Sequence, residues 1–291
     1  MDRKQTLKEI QELTKSLHDN LIGFGIDYHN KVLGGDISKK KEFDLCMRLR
    51  DSILYKIKCV NFHLDLLLQL DKILSDKLRS ILFNRAKEFD LMIQGGDEQL
   101  FCLDDITFHI ISLFDFIGNL AGYLFYGEQR IKLKWKGVVI CCKNPNWEKS
   151  KTGKEQIKNS DASSLIIKNQ HNLISRLEEY RANLFHYLRD DAKRRVTTRL
   201  SGPIESKFTV GIPVGFQKWI KPFIKQSKDG ELELIDISLW LVRKSFMAAK
   251  EIIIALHQDL HKKCNADREV HRAYIRRLAE KRRKRKETQE K

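Results

Sequence analysis

Two residues with chemistry to offer stand five apart in the stretch YRANLFHYLRDD, residues 180 to 191: Arg181 and His186. A guanidinium stays charged at any physiological pH and presents paired donors that fit phosphate or carboxylate oxygens. An imidazole titrates nearest neutrality, so it takes or gives a proton most readily. On an ideal helix Leu173, Leu177, Tyr180, Leu184 and Leu188 share one face, with Arg181 at its edge. His186 lies about 140° further round, on a face with Ser175, Glu179, Ala182, Arg189 and Lys193. On spacing alone the pair reads plainly as a surface histidine and an edge arginine whose stem covers apolar neighbours.

Other chemistry-bearing groups are sparser. His257 and His261 stand at i, i+4, the best spacing in the chain for two metal ligands on one helix. No HExxH arrangement follows, because Gln258, Asp259 and Leu260 intervene, and no metal site or cofactor is expected. Cys141 and Cys142 are adjacent and so point apart, which suits core or loop thiols better than chelation. A P-loop, a GxGxxG and a Gly-x-Ser-x-Gly elbow are all absent, which gives no support to nucleotide hydrolysis, dinucleotide binding or an esterase-type nucleophile. Trp135, Trp147, Phe216 and Trp219 sit among lysines (KLKWKG, NWEKSK, GFQKWIKPF), a composition that stacks bases and neutralises phosphates, and equally that of any half-exposed amphipathic segment.

Composition narrows the setting. The chain of 291 residues can bury a core without disulfides, and its six cysteines, at 46, 59, 102, 141, 142 and 264, form no CxxC pair. No signal-peptide pattern precedes them, so a reducing cytoplasm is the expected home. Apolar runs such as LDLLLQL, 64 to 70, fall well short of the roughly 20 residues needed to span a bilayer, and no membrane partner is expected. A formal net charge of +16 favours polyanionic partners. From Arg272 to Lys291 ten Lys or Arg face three Glu, so this stretch is expected to be a helix end running into a basic tail, either a solvated terminus or a nucleic-acid contact arm.

The elements that must position these groups are mainly helical. Leu7, Ile10, Leu13, Leu17, Leu21 and Phe24 fall three and four apart, predicting a helix over 6–33 that Gly34-Gly35-Asp36 stops. Residues 38–93 continue the pattern, with Ser75-Asp76 expected to cap a second helix and Gly95-Gly96-Asp97 to punctuate the chain again. The segment 104–125 is apolar nearly all round and should be the central helix. Residues 127–165 are expected to be an irregular excursion in which KLKWKGVVICC supplies a short β-like run. A helix then spans about 172–195, a β-hairpin turns around Ser201-Gly202-Pro203 within 196–213, and a last long helix opens near Leu232. The expected organisation is an N-terminal helical region, 1–95, a helical bundle, 96–265, and a basic helix end and tail, 266–291.

An arginine, four residues and a histidine on a late helix of such a bundle resembles the RX4-6H signature of the HEPN superfamily, known in prokaryotic toxins and phage-defence proteins. The segments SLFDFIGNLAGYLFYG, KLKWKG and EYRANLFHYLRDD, with the later hairpin, resemble an uncharacterised bacterial HEPN-like family over roughly residues 80–260. The family pattern usually places a polar residue directly after the arginine, where this chain has Ala182, with Asn183 one position on. A toxin subgroup carries a modified tyrosine two residues after the histidine; here Tyr187 follows immediately and Leu188 takes that place, so that regulation is not expected.

The resemblance implies a mostly α-helical fold of HEPN type and a metal-independent ribonuclease, without cofactor, in which two motifs of a homodimer face a shared cleft. Arg181 would stabilise charge building on the phosphate and His186 would act as acid or base. Asn183 and Asp115 are candidate supporting residues, Asp115 through an ion pair with Arg181. Arg189, Lys193, Arg194 and Arg195 are candidate nucleic-acid contacts. RNA is the expected partner, with a regulatory protein to hold the activity in check. Ala182 keeps a second expectation open: a non-catalytic helical module that binds RNA or protein.

Overall fold

The computed structural model describes residues 2–33, 40–81, 84–126, 134–147, 155, 157–186, 194–199, 205–211 and 233–289. The described chain is mainly α-helical, in the order α1 (Arg3–Asp27), α2 (Lys40–Ser80), α3 (Arg85–Tyr126), α4 (Trp135–Lys143), α5 (Asp161–Asn169), α6 (Ser175–His186), β1 (Arg194–Arg199), β2 (Glu205–Val210) and α7 (Leu234–Gln289). Among the described residues no helix is long and apolar enough to cross a membrane.

The α2–α3 pair forms the spine. Its helices run antiparallel, since Leu74 lies against Gly95 while His63 lies against His109. Buried leucines and isoleucines at three- and four-residue steps, from Ile53 through Leu78 on α2 and from Leu100 through Leu124 on α3, supply the seam. Two sequence expectations fail along it. Ser75-Asp76 does not break α2, because Leu74 and Leu78 on either side are both buried and carry the apolar stripe through. Helix α2 ends instead at Ser80 and α3 begins at Arg85, where the Asn84 side chain accepts the Lys87 N–H at 3.2 Å. Gly95-Gly96 does not interrupt α3 either: a Cβ at Gly95 would lie 2.4 Å from Leu74 Cδ2, so glycine there permits a close helix crossing. As a result α3 runs unbroken through the division expected at residue 95.

Helices α1 and α7 lie side by side and parallel. Arg3 pairs with Asp236 (2.8 Å) and Glu233, Glu9 with Arg243, and Asp27 with His257 (2.9 Å), in rising order along both helices. The Asp2 carboxylate caps α1 by accepting the Gln5 N–H, and α1 passes at Tyr28 into a π-helical turn, Tyr28–Leu33. The Tyr28 hydroxyl meets that of Tyr123 on α3 at 2.5 Å, which ties the end of this pair to the spine.

Part of the expected irregular excursion is helix. The VVICC run lies in α4, where Trp135, Val138, Val139, Cys141 and Cys142 are buried. Its β-branched residues favour strands in isolation, and burial against the bundle overrides that preference. Strands β1 and β2 form the expected hairpin, pairing from Arg194 with Val210 to Arg199 with Glu205, and Phe208 and Val210 bury one face of β2. The helix expected to reach residue 195 is described only to His186, so Arg194 and Arg195 open β1 rather than end a helix. Helix α7 continues through the basic segment to Gln289.

Candidate functional site

Helix α6 is placed by a chain of polar contacts that begins on α3. A Cβ at Gly118 would lie 2.7 Å from Trp135 Cα and 2.8 Å from Trp135 N, so the start of α4 rests directly on the α3 backbone. One turn earlier, Asp115 Oδ1 accepts the Trp135 N–H at 3.2 Å. The indole is held edge-on to Phe114, centroids 5.1 Å apart, and its Nε1–H donates to Gln170 Oε1 at 2.5 Å. Gln170 opens a π-helical turn, Gln170–Ile174, that leads into α6. Such single-turn widenings recur at functional sites.

On α6 the Tyr180 hydroxyl donates to Asp104 Oδ1 at 2.8 Å, which fixes the middle of the helix to α3. Arg181, the next residue, is half-buried and Ala182 is exposed. Asn183 lies within α6 and His186 is its last residue. Asp115 thus serves the N-terminus of α4, and among the described residues no hydrogen bond or ion pair joins it to Arg181. Arg194 and Arg195 pair across the hairpin with Val210 and Thr209. Arg189 and Lys193 lie outside the described residues, as do Phe216 and Trp219.

Among the described residues, the grouping of three ligand-type side chains lies elsewhere. Nε2 of His257 and Nε2 of His261 stand 2.9 and 3.0 Å from one oxygen, Asp27 Oδ2, and the donor atoms of all three residues lie within 4.8 Å of one another. The i, i+4 spacing brings the two rings together, with centroids 4.8 Å apart. Phe24 packs edge-on against His257, centroids 5.7 Å apart. Asp259, between the histidines in sequence, serves the opposite side of α7. Its carboxylate accepts from the Ser160 hydroxyl at 2.5 Å and from the Asp161 N–H at 3.1 Å, which anchors the N-terminus of α5.

Sequence reading found the two histidines and missed Asp27, which lies 230 positions from His257 and carries no local signal. Asp104 was missed for the same reason. A third cluster, Lys56, His63 and His109, lines the α2–α3 seam, with Lys56 Nζ 3.3 Å from His109 Nδ1. Burial first, then the Lys56 and His63 charges, lowers the pKa of His109 below its ordinary value.

Comparison with protein-family models, with curated proteins and with solved structures finds no match to this chain.

Proposed function

We propose that the chain is a cytoplasmic, homodimeric, metal-independent RNA endonuclease of HEPN type that acts as a toxin or phage-defence effector. The observation that carries this reading is the Arg181–His186 spacing on a helix pinned to the central helix by the Tyr180–Asp104 bond, with Arg181 half-buried beside it. An arginine so placed loses less freedom on meeting a phosphate than one on a free surface.

The chemistry divides between the two residues. Cleavage without a metal needs a base for the 2′-hydroxyl proton, an acid for the leaving 5′-oxygen and a cation beside the phosphorane. Arg181 offers paired donors to the non-bridging oxygens, where charge grows in the transition state. His186 takes or returns a proton, and the histidine of a second protomer completes the acid–base pair. Asn183 orients the substrate, and Arg189, Lys193, Arg194 and Arg195 neutralise the RNA backbone, in keeping with the net charge of +16. The exposed Tyr55 and Phe62 on α2 and Phe101 and Phe108 on α3, each pair seven residues apart, supply apolar surface for self-association. A regulatory protein partner would restrain the activity in the cell.

Ala182, exposed directly after the arginine, favours a second reading as a non-catalytic module that holds RNA or a protein. Expression in a bacterial host separates the two. Growth arrest that Arg181→Ala and His186→Ala each abolish, at equal protein level, supports the nuclease. RNA binding that survives both changes, with no growth arrest by the unaltered chain, supports the module.

A further inference from the structure

We propose that Asp27, His257 and His261 form a binding site for one zinc ion, which fastens the C-terminal end of α1 to α7. Neutral imidazole nitrogens and a carboxylate oxygen are ordinary zinc ligands. Zinc bonds of about 2.0–2.1 Å at a tetrahedral angle set donor atoms about 3.3 Å apart. The observed separations of 2.9 and 3.0 Å between Asp27 Oδ2 and the two Nε2 atoms lie a few tenths of an ångström below that spacing, and all three donor atoms stand within 4.8 Å of one another.

Three features favour a metal over a purely hydrogen-bonded cluster. Both histidines direct the same nitrogen, Nε2, at the same carboxylate oxygen, so that with both nitrogens unprotonated three electron-pair donors face one another. The His257 ring is braced by Phe24 on α1, and such bracing spares the ordering cost when a ligand sphere closes. The side chains of His257, Asp27 and His261 are 20, 29 and 38% exposed, enough for an ion to enter and for water to take the fourth position.

The location gives the ion a role. Near their N-terminal ends α1 and α7 are joined by Arg3 with Asp236 and Glu233 and by Glu9 with Arg243, and the zinc site closes the pair at the other end. Asp27 is the last residue of α1, directly before the π-helical turn. Binding there would hold that turn against the bundle, so zinc availability would set how firmly the N-terminal helix is docked.

The test uses the full-length chain, freed of any affinity tag and of bound metal, titrated with Zn²⁺ against a chromophoric chelator and melted with and without zinc. The expected result is one zinc per chain and a melting temperature raised by about 5 °C at zinc a hundredfold above its dissociation constant. Asp27→Asn and His261→Gln, which change little in size, should each weaken binding by about 100-fold or more and lose the thermal shift, while His171→Gln on the exposed face near α6 keeps both. Circular dichroism confirms that the variants remain folded. Wild type that neither binds zinc nor gains stability from it, or variants that bind as wild type does, would overturn the site. RNA cleavage plays no part in this readout, so the zinc site and the nuclease reading fail separately.

Discussion

Replacing Gly118 by alanine should destabilise the protein although it improves helix propensity. Gly118 lies within α3, where alanine in its place would ordinarily contribute about 1 kcal/mol in favour of the helix. Its new Cβ would stand 2.7 Å from Trp135 Cα, 2.8 Å from Trp135 N and 3.3 Å from Lys134 C. Carbon atoms rest at about 3.5–4.0 Å, so relief requires α4 to retreat by roughly 1 Å, and because the atoms met are backbone no rotamer change can absorb it. Overpacking of this kind costs about 1–3 kcal/mol. The retreat also strains the Asp115–Trp135 and Trp135–Gln170 hydrogen bonds, each worth about 1 kcal/mol. The net expectation is a loss of about 2–3 kcal/mol, read from urea unfolding by far-UV circular dichroism. Gly23→Ala is the control. Its Cβ would meet only His257 Cε1, at 3.8 Å, so the propensity gain should appear unopposed. A Gly118→Ala protein as stable as wild type would refute the close approach of α3 and α4 and the placement of α6 that depends on it.

Further predictions concern buried groups. Burial pushes the Cys46 and Cys142 thiols from 9.0 up to about 12, so the folded chain keeps protons that the unfolded chain loses. Their contribution to stability is complete below about pH 9 and falls as pH rises, by up to about 1.4 kcal/mol per unit for each thiol, and Cys142→Ala should flatten the slope measured by denaturant unfolding. The depressed pKa of His109 works in the other direction: its contribution is present above 6.5 and is lost as pH falls, and Lys56→Met should move the imidazole titration seen by NMR upward. Asp259→Ala removes the acceptor for Ser160 and the α5 N-terminus and should cost about 1–2 kcal/mol in thermal unfolding, with no change in zinc stoichiometry.

What the sequence made legible follows from how far each signal reaches. The long amphipathic helices could be read because three- and four-residue spacing is repeated in every turn, as in Leu17, Leu21 and Phe24. The hairpin was legible from the alternation on either side of Ser201-Gly202-Pro203. Glycine was ambiguous: Gly95 offers the same letter for a helix stop and for a close crossing, and only Leu74, distant in sequence, decides between them. The VVICC run misled because strand propensity is local and the burial that overrides it is not. Among candidate site residues, the pairs set by helix spacing, Arg181 with His186 and His257 with His261, were visible. Asp27, Asp104 and Gln170 join their partners only through tertiary packing, which no spacing rule reports.

The central claim is catalytic, and it is tested by incubating purified protein with labelled transfer and ribosomal RNA in excess EDTA, below the melting temperature of the metal-free chain, beside His186→Ala. The account predicts cleavage by wild type alone, leaving 2′,3′-cyclic phosphate ends. Equal cleavage by His186→Ala, or no cleavage of either RNA by folded wild-type protein, would contradict it.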